Sequence, residues 1–251
     1  MQKFFVDLDQ INENFVRIMG EDVNHIANVL RLDVDEEILV GEKDRGDTYL
    51  CKIKEIGKEE VLLSIIEKAK YSTEPKTYIH VFQGLPKADK MEYIIQKGTE
   101  IGVSEFTPVA MSRCIAKLDE KENTKKILRW QKVAETAAKQ SKRDKIPKIN
   151  FAKNLKNLYE ILKEYDIVLV AYEDEHEHTL KEELINYKTK GLKTGKIAVI
   201  IGPEGGLSKE EVSFIIENGG KAVTLGKRIL RTETAPLVIA SIILYELEDM
   251  N

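Results

Sequence analysis

Ile197-Ala198-Val199-Ile200-Ile201-Gly202-Pro203-Glu204-Gly205-Gly206-Leu207-Ser208 is the stretch whose reading decides the fold. Five apolar residues bounded by a turn are too short for a helix and read as a strand buried on both faces. Three glycines follow within five positions, so backbone can come close to a ligand, and Pro203 stiffens the turn. Ser208 with Glu211 three residues later carries the capping-box signature of a helix start. Strand, glycine-rich turn and capped helix together make one unit of an α/β fold. Such folds place their ligand sites at the carboxyl ends of the strands. A tight turn with no ligand is the plainer reading, although one glycine ordinarily suffices for it. Gly202, Gly205 and Gly206 lack the G-x-G-x-x-G spacing of a dinucleotide fingerprint, and no Gly-Lys-Ser or Gly-Lys-Thr completes a P-loop.

Outward from this unit the same alternation continues. Strands are expected at Tyr78 to Gln83, Phe106 to Ala110, Asp166 to Tyr172 and Ala222 to Leu225. Helices are expected where Met91, Ile94, Ile95, Gly98 and Ile101 recur, from Lys125 to Ser141, near Leu180 to Tyr187, and from Thr232–Pro236 to Leu247. This pattern predicts a mostly parallel sheet covered on both faces. The first seventy or so residues differ. Short β-rich runs at Glu37 to Gly41, Thr48 to Glu55 and Val61 to Ile66 are broken by one helical pattern from Asp22 to Leu32, which suggests a small barrel. The patterning weakens from Ala69 to Lys76, where the two regions would join.

Composition restricts the classes open to the chain. Its 251 residues carry a net charge of −4, with 42% hydrophobic and 33% charged residues, an ordinary globular balance. No apolar run approaches the length of a membrane span, and the start lacks the pattern of a signal peptide. Only Cys51 and Cys114 are present, without metal or redox spacing, so a reducing cytoplasm is the expected compartment. Charge is polarised. Lys139, Lys142, Arg143, Lys145 and Lys148 surround the single anion Asp144, whereas Glu173, Asp174, Glu175 and Glu177 form an acidic patch. The basic cluster reads as a phosphate-binding face or as a solvated loop.

A second unusual loop follows the strand at Ala222 to Leu225: Gly226-Lys227-Arg228-Ile229-Leu230-Arg231-Thr232-Glu233-Thr234-Ala235. Leu225, Ile229 and Leu230 could wrap an adenine with backbone groups as hydrogen-bond partners. Singly, Thr232 or Thr234 could be a helix N-cap and Arg228 a solvated side chain. His25 reads as structural, and His176 and His178 as part of a solvated loop with no third metal ligand.

These two loops resemble the signature loops of the ribosomal RNA small-subunit methyltransferase E family, within the SPOUT superfamily. Further similarity runs through His25-Ile26-Ala27-Asn28-Val29-Leu30-Arg31, Lys90 to Lys97, Thr99-Glu100-Ile101-Gly102-Val103 and Gln140-Ser141-Lys142-Arg143. The resemblance implies a PUA-like β-barrel over residues 1–72 that helps bind RNA. It implies a SPOUT-type α/β domain with a C-terminal trefoil knot over residues 73–251. The implied activity is transfer of a methyl group from S-adenosylmethionine to N3 of a specific uridine in small-subunit ribosomal RNA, by a homodimer with its active site near the subunit interface and without a metal.

Arg231 and Arg228 are then expected to stabilise charge on the uridine, and Glu204 to serve as a base, its pKa raised by burial, or to orient the cofactor. Cofactor contacts are expected from Gly202, Glu204, Gly206, Leu225, Gly226, Ile229, Leu230, Thr234 and Ala235. RNA contacts are expected from Arg31, Arg113, Lys139, Lys142 and Arg143. Rival readings are a non-catalytic RNA-binding protein, a nucleotide-dependent enzyme, and a methyltransferase acting on a ribose 2′-hydroxyl of transfer RNA.

Overall fold

The computed structural model describes residues 1–115, 120–191, 194–247 and 249–250. The chain forms two compact units, one of Met1–Glu74 with Ala138–Ile146, the other of Pro75–Ala137 with Pro147–Asn251.

In the first unit, β1 (Lys3–Val6), β2 (Phe15–Met19), β3 (Glu37–Glu42), β4 (Thr48–Ile56) and β5 (Glu60–Lys68) form one sheet in the order β1-β3-β4-β5-β2. β1 runs parallel to β3 and the remaining pairs are antiparallel. Among the described residues no ladder joins β1 to β2, so the expected barrel is a sheet with two edge strands. Alternation explains its core: Val16 and Ile18, Ile38 and Val40, Cys51 and Ile53, and Val61 and Leu63 point inward together. Val23 and Ile26 join this core from the helical insertion. That insertion is one α-turn, α1 (Glu21–Asn24), which widens into a π-turn over His25–Leu30. It ends at Arg31 in the left-handed conformation, at φ 54°. A single 3.6-residue period, as read from sequence, does not describe it.

The basic cluster folds into this unit and is where expectation and structure part. Arg143 pairs with Glu74 and keeps only 5% of its side-chain surface. Lys139 pairs with Asp22 at 3.0 Å and lies over the Phe4 ring. Asp144, the lone anion of the cluster, is buried as the hub of a network. Its Oδ1 accepts from Lys3 Nζ at 2.8 Å and Thr48 Oγ1 at 2.6 Å, and its Oδ2 from Ser72 Oγ and the Thr73 N–H. Burial raises the Asp144 pKa, but these donors outweigh it and hold the carboxyl near about 2. Arg143 and Lys139 are therefore internal ties, because buried or shielded charges must be paired. Lys142 and Arg31 remain exposed.

In the second unit the strands are β6 (Tyr78–Gly84), β7 (Glu105–Val109), β8 (Lys148–Ile149), β9 (Ile167–Ala171), β10 (Lys196–Ile201) and β11 (Lys221–Val223). They form an all-parallel sheet in the order β11-β9-β10-β6-β7-β8. The helices are α2 (Lys90–Ile101), α3 (Glu120–Ser141, of which the residues from Ala138 on belong to the first unit), α4 (Tyr159–Leu162), α5 (Leu180–Thr189), α6 (Lys209–Glu217) and α7 (Ala235–Glu246). β8 and α4 are too short for sequence patterning to have signalled them. One core packs Phe82, Val170, Ala198 and Ile200 of the sheet against Val212 and Ile215 of α6 and Leu158 and Leu162 at α4. α6 starts at its capping box as expected: the Glu211 N–H donates to Ser208 Oγ, and the Ser208 N–H to Glu211 Oε2. From β6 the chain steps outward to β8, crosses to β9, and returns with β10 between β9 and β6. That reversal is the crevice where open parallel sheets bind ligands.

Candidate active site

At the carboxyl ends of β9, β10 and β11 lies a cavity of about 740 Å³. Its size suits a nucleoside-sized molecule. Three chain segments form most of its wall, with Lys90 and Ala235 beside them. Ile201 to Gly206 follows β10, Ala171 to His176 follows β9, and Thr224 to Thr232 follows β11.

The first wall is a turn closed by the Gly206 N–H on the Pro203 carbonyl at 2.9 Å. Gly206 stands at φ 70°, and a Cβ there would come within 2.2 Å of Glu173 Oε1, so this position suits glycine alone. The third wall offers its main chain. Gly226, at φ 106°, starts it. Among the described residues the backbone groups of Lys227 to Leu230 have no partner. Ile229 projects with 86% of its surface exposed, although it lines the cavity.

Two ties hold these walls together. Thr232 Oγ1 donates to the Gly202 carbonyl at 2.7 Å and accepts from Gln83 Nε2 at 2.9 Å. Lys90 Nζ, from the start of α2, lies 3.0 Å from Glu204 Oε1 and 3.0 Å from Glu233 Oε2. The Lys87 N–H also donates to Glu204 Oε1.

Electrostatics overturn one expectation. Burial alone would raise the Glu204 pKa, but hydrogen bonds from the Lys87 and Glu204 backbone and from Lys90 dominate and hold its carboxyl below the usual range. A carboxylate so stabilised is a weaker base, so the condition on which Glu204 was expected to take a proton is not met. Glu233 is lowered in the same way, against its own burial, by backbone hydrogen bonding and by Lys90. Lys90 in turn is raised by Glu233 and Glu204.

Of the residues expected at the site, Gly202, Glu204, Gly206, Leu225, Gly226, Arg228, Ile229, Leu230, Arg231 and Ala235 all line the cavity. Thr234 does not. It occupies the N-cap position of α7, its side chain makes no cap bond, and its N–H donates to the Arg231 carbonyl. Arg231 keeps 82% of its side-chain surface and only grazes Glu233 at 3.9 Å. Arg113 sits beside the first wall, donating to the Gly205 carbonyl at 3.0 Å. Arg31, Lys139, Lys142 and Arg143 belong to the first unit.

Sequence reasoning missed Lys90, Gln83 and the β9 wall. Tyr172, Glu173, Asp174 and His176 line the cavity, so the loop that carries the acidic patch is exposed, as expected, and also borders the site. The available signal was position: these residues directly follow a buried parallel strand. Gln83, a polar residue ending an apolar strand, was a second one.

At the amino ends of β6 and β7 a smaller cavity of about 380 Å³ includes His80, Glu105, Thr107 and Tyr165. His80 is fully engaged there: Nε2 pairs with Thr107 Oγ1 at 2.7 Å, Nδ1 meets the Tyr165 hydroxyl, and Phe82 stacks on the ring. Burial lowers its pKa to about 3, so it is neutral.

Comparison with known proteins agrees with this geometry. An RNA methyltransferase domain model matches residues 73–244, and an RNA methyltransferase PUA domain model matches residues 18–66. Ribosomal RNA small subunit methyltransferase E of Bacillus subtilis (strain 168) is 37% identical, with 99% of this chain and 98% of the relative covered. The protein of that name from Mesomycoplasma hyopneumoniae (strain 232) is 35% identical over 95% and 97%. The crystal structure of the Neisseria gonorrhoeae enzyme of that name, bound to S-adenosyl methionine, superposes with a TM-score of 0.85 at 27% identity, covering 98% of this chain and 97% of that one. With its PUA and RNA methyltransferase domains, its all-parallel sheet and its two glycine-bearing loops, this chain belongs to the ribosomal RNA small subunit methyltransferase E family.

Proposed function

We propose that this protein transfers a methyl group from S-adenosylmethionine to N3 of a uridine in small-subunit ribosomal RNA. The observation that carries the reading is the cavity of about 740 Å³ walled by unpartnered backbone, with an exposed arginine, Arg231, at its lining. The cofactor fits the residues present. The free peptide groups from Lys227 to Leu230 are what a purine and its ribose require, and the apolar parts of Leu225, Ile229 and Leu230 can cover a base. Gly202, Gly206, Leu225, Gly226, Ile229, Leu230 and Ala235 would hold it, with Glu204 fixing the first wall. When bound, the cofactor supplies an electrophilic methyl group on a positively charged sulfur.

The chain's remaining task is the acceptor. Uridine N3 is a weak nucleophile until its proton leaves. Glu204 is a poor candidate to remove that proton, because its pKa is lowered. Arg231, with Arg228, instead stabilises the negative charge that develops on the uracil carbonyl oxygens, which lowers the N3 pKa so that the proton can pass to solvent water. Arg113, Arg31 and Lys142 are exposed, which supports a role for them in meeting phosphates. Residues 1–72 act as the RNA-binding domain and 73–251 as the knotted methyltransferase domain, in the cytoplasm. α7 supports the homodimer: Leu237, Val238 and Ile242 are half-buried and Tyr245 is exposed, an apolar face suited to a second copy.

The test incubates the protein with labelled S-adenosylmethionine and small ribosomal subunits lacking the modification, and identifies the product nucleoside by mass spectrometry. 3-Methyluridine is the expected product. A ribose-methylated nucleoside would redirect the reading to a 2′-hydroxyl, and absence of cofactor binding would overturn it.

A further inference from the structure

Glu233 is shared between two cations. Its Oε2 lies 3.0 Å from Lys90 Nζ, and its Oε1 lies 3.9 Å from Arg231 Nη1. Lys90 is less exposed than Arg231 and is fixed from a second side by Glu204 at 3.0 Å. Arg231 keeps 82% of its side-chain surface. The carboxylate is therefore taken up on its inner side by lysine, and its weaker outer contact leaves the guanidinium loose. If the lysine charge were removed, Arg231 would be the cation left within reach of Glu233 among the described residues, and a guanidinium binds a carboxylate in a close two-pronged geometry.

We propose that Lys90 is a positioning residue that occupies Glu233 and thereby keeps Arg231 free to meet the acceptor base. This rests on the reading that Arg231 stabilises charge on the uridine. Lys90 acts through Glu233 and does not touch the reacting atoms. Its position at the first residue of α2 lets a helix outside the two loops set the availability of the arginine between them.

The proposal separates from a purely structural clasp by the second substitution. In a clasp, removing Glu233 from the Lys90→Met protein would do further damage. Here it releases Arg231 again. Two readouts apply to the full chain of K90M, K90M/E233Q, K90R and R231A. The first is the rate of Arg231 modification by phenylglyoxal, read by peptide mass spectrometry without cofactor or RNA. The second is methyl transfer to unmodified small subunits, with cofactor affinity measured by calorimetry.

In K90M, Arg231 modification slows several-fold and kcat falls roughly ten- to a hundredfold while cofactor affinity changes much less. In K90M/E233Q both modification rate and kcat recover, and K90R stays within a few-fold of the parent because it keeps the cation. Unchanged Arg231 reactivity in K90M, or a further fall in the double variant, overturns the proposal. Loss of turnover in R231A alongside an unaffected K90M would leave the acceptor reading standing and remove the role of Lys90. Retained turnover in R231A would remove both.

Discussion

Thr232 donates its hydroxyl to the carbonyl of Gly202 across 2.7 Å, and this bond is one of the two ties between the cavity loops that follow β10 and β11. The residues are thirty positions apart, Gly202 directly after β10 and Thr232 in the loop between β11 and α7. Gln83 secures the junction from β6 by donating to the same hydroxyl. Replacing Thr232 by Val keeps the shape and removes the hydroxyl from both partners, which still meet each other, since Gln83 Nε2 also lies 3.3 Å from the Gly202 carbonyl. The expected cost is about 0.5–1.5 kcal/mol of stability for each hydrogen bond lost, with weaker cofactor binding. Urea denaturation and calorimetry check it; a variant unchanged in both would mean that the loops are held by other means.

Gly206→Ala tests the turn. The left-handed backbone at φ 70° costs roughly 1–3 kcal/mol for a non-glycine residue. The added methyl also meets Glu173, whose flexible carboxylate can swing away. Removing Glu173 as well should therefore restore little. Cofactor affinity of G206A and of G206A/E173A should be similarly reduced; full recovery in the double variant would show that the clash, not the backbone, was the obstacle.

Asp144 predicts an acid limit to the stability of the first unit. Its pKa of about 2 lies below the unfolded value of about 3.9, so its contribution is present above the unfolded value and is lost as pH falls through the folded one. The contribution is roughly 2–3 kcal/mol, lost between about pH 4 and about pH 2. Asp144→Asn should be less stable at neutral pH and show a flatter acid transition by circular dichroism.

His80 has the opposite chemistry but a similar pH direction. It is neutral when folded, with a pKa of about 3, whereas the unfolded chain protonates it near 6.5. The unfolded state thus binds the extra proton below about pH 6.5, and stability falls there by about 1 kcal/mol per pH unit. Chemical denaturation of His80→Gln across pH 7 to 5 should lack that slope; an unaltered slope would assign it to other groups.

Arg143 and Arg113 should separate cleanly, although both look alike in sequence as RNA contacts. Arg143→Ala leaves Glu74 without its buried partner, so melting temperature should fall. Arg113→Ala should leave melting nearly unchanged and weaken RNA binding, with a shallower salt dependence. Filter binding at two salt concentrations, beside a thermal melt, decides between them.

The order of strands and helices in the second unit was legible because burial on both faces demands continuous apolar runs, as in Ile197 to Ile201. The two site loops were legible because glycines and a cationic run are unusual after such strands. The π-turn at His25–Leu30 was not, since its apolar residues suit either helix type locally. Nor was β8, at two residues too short to carry a period.

By itself the sequence determined most of the segments that are strands and helices, though not β1, β2, β8 or α4, and it determined where the glycine-rich turns fall and which loops carry the chemistry. These follow from local propensity and hydrophobic period, which depend on residues close together in the chain. Only tertiary structure decided which charges are spent inside the molecule. Arg143 and Lys139 look as available as Arg113 and Arg231 in the linear order, but Glu74 and Asp22 claim them from about seventy and more than a hundred residues away. The same holds for the lowered carboxyl of Glu204 and for Lys90 between its two acids. A charge's role depends on its partners and burial in space, and separation along the chain encodes neither.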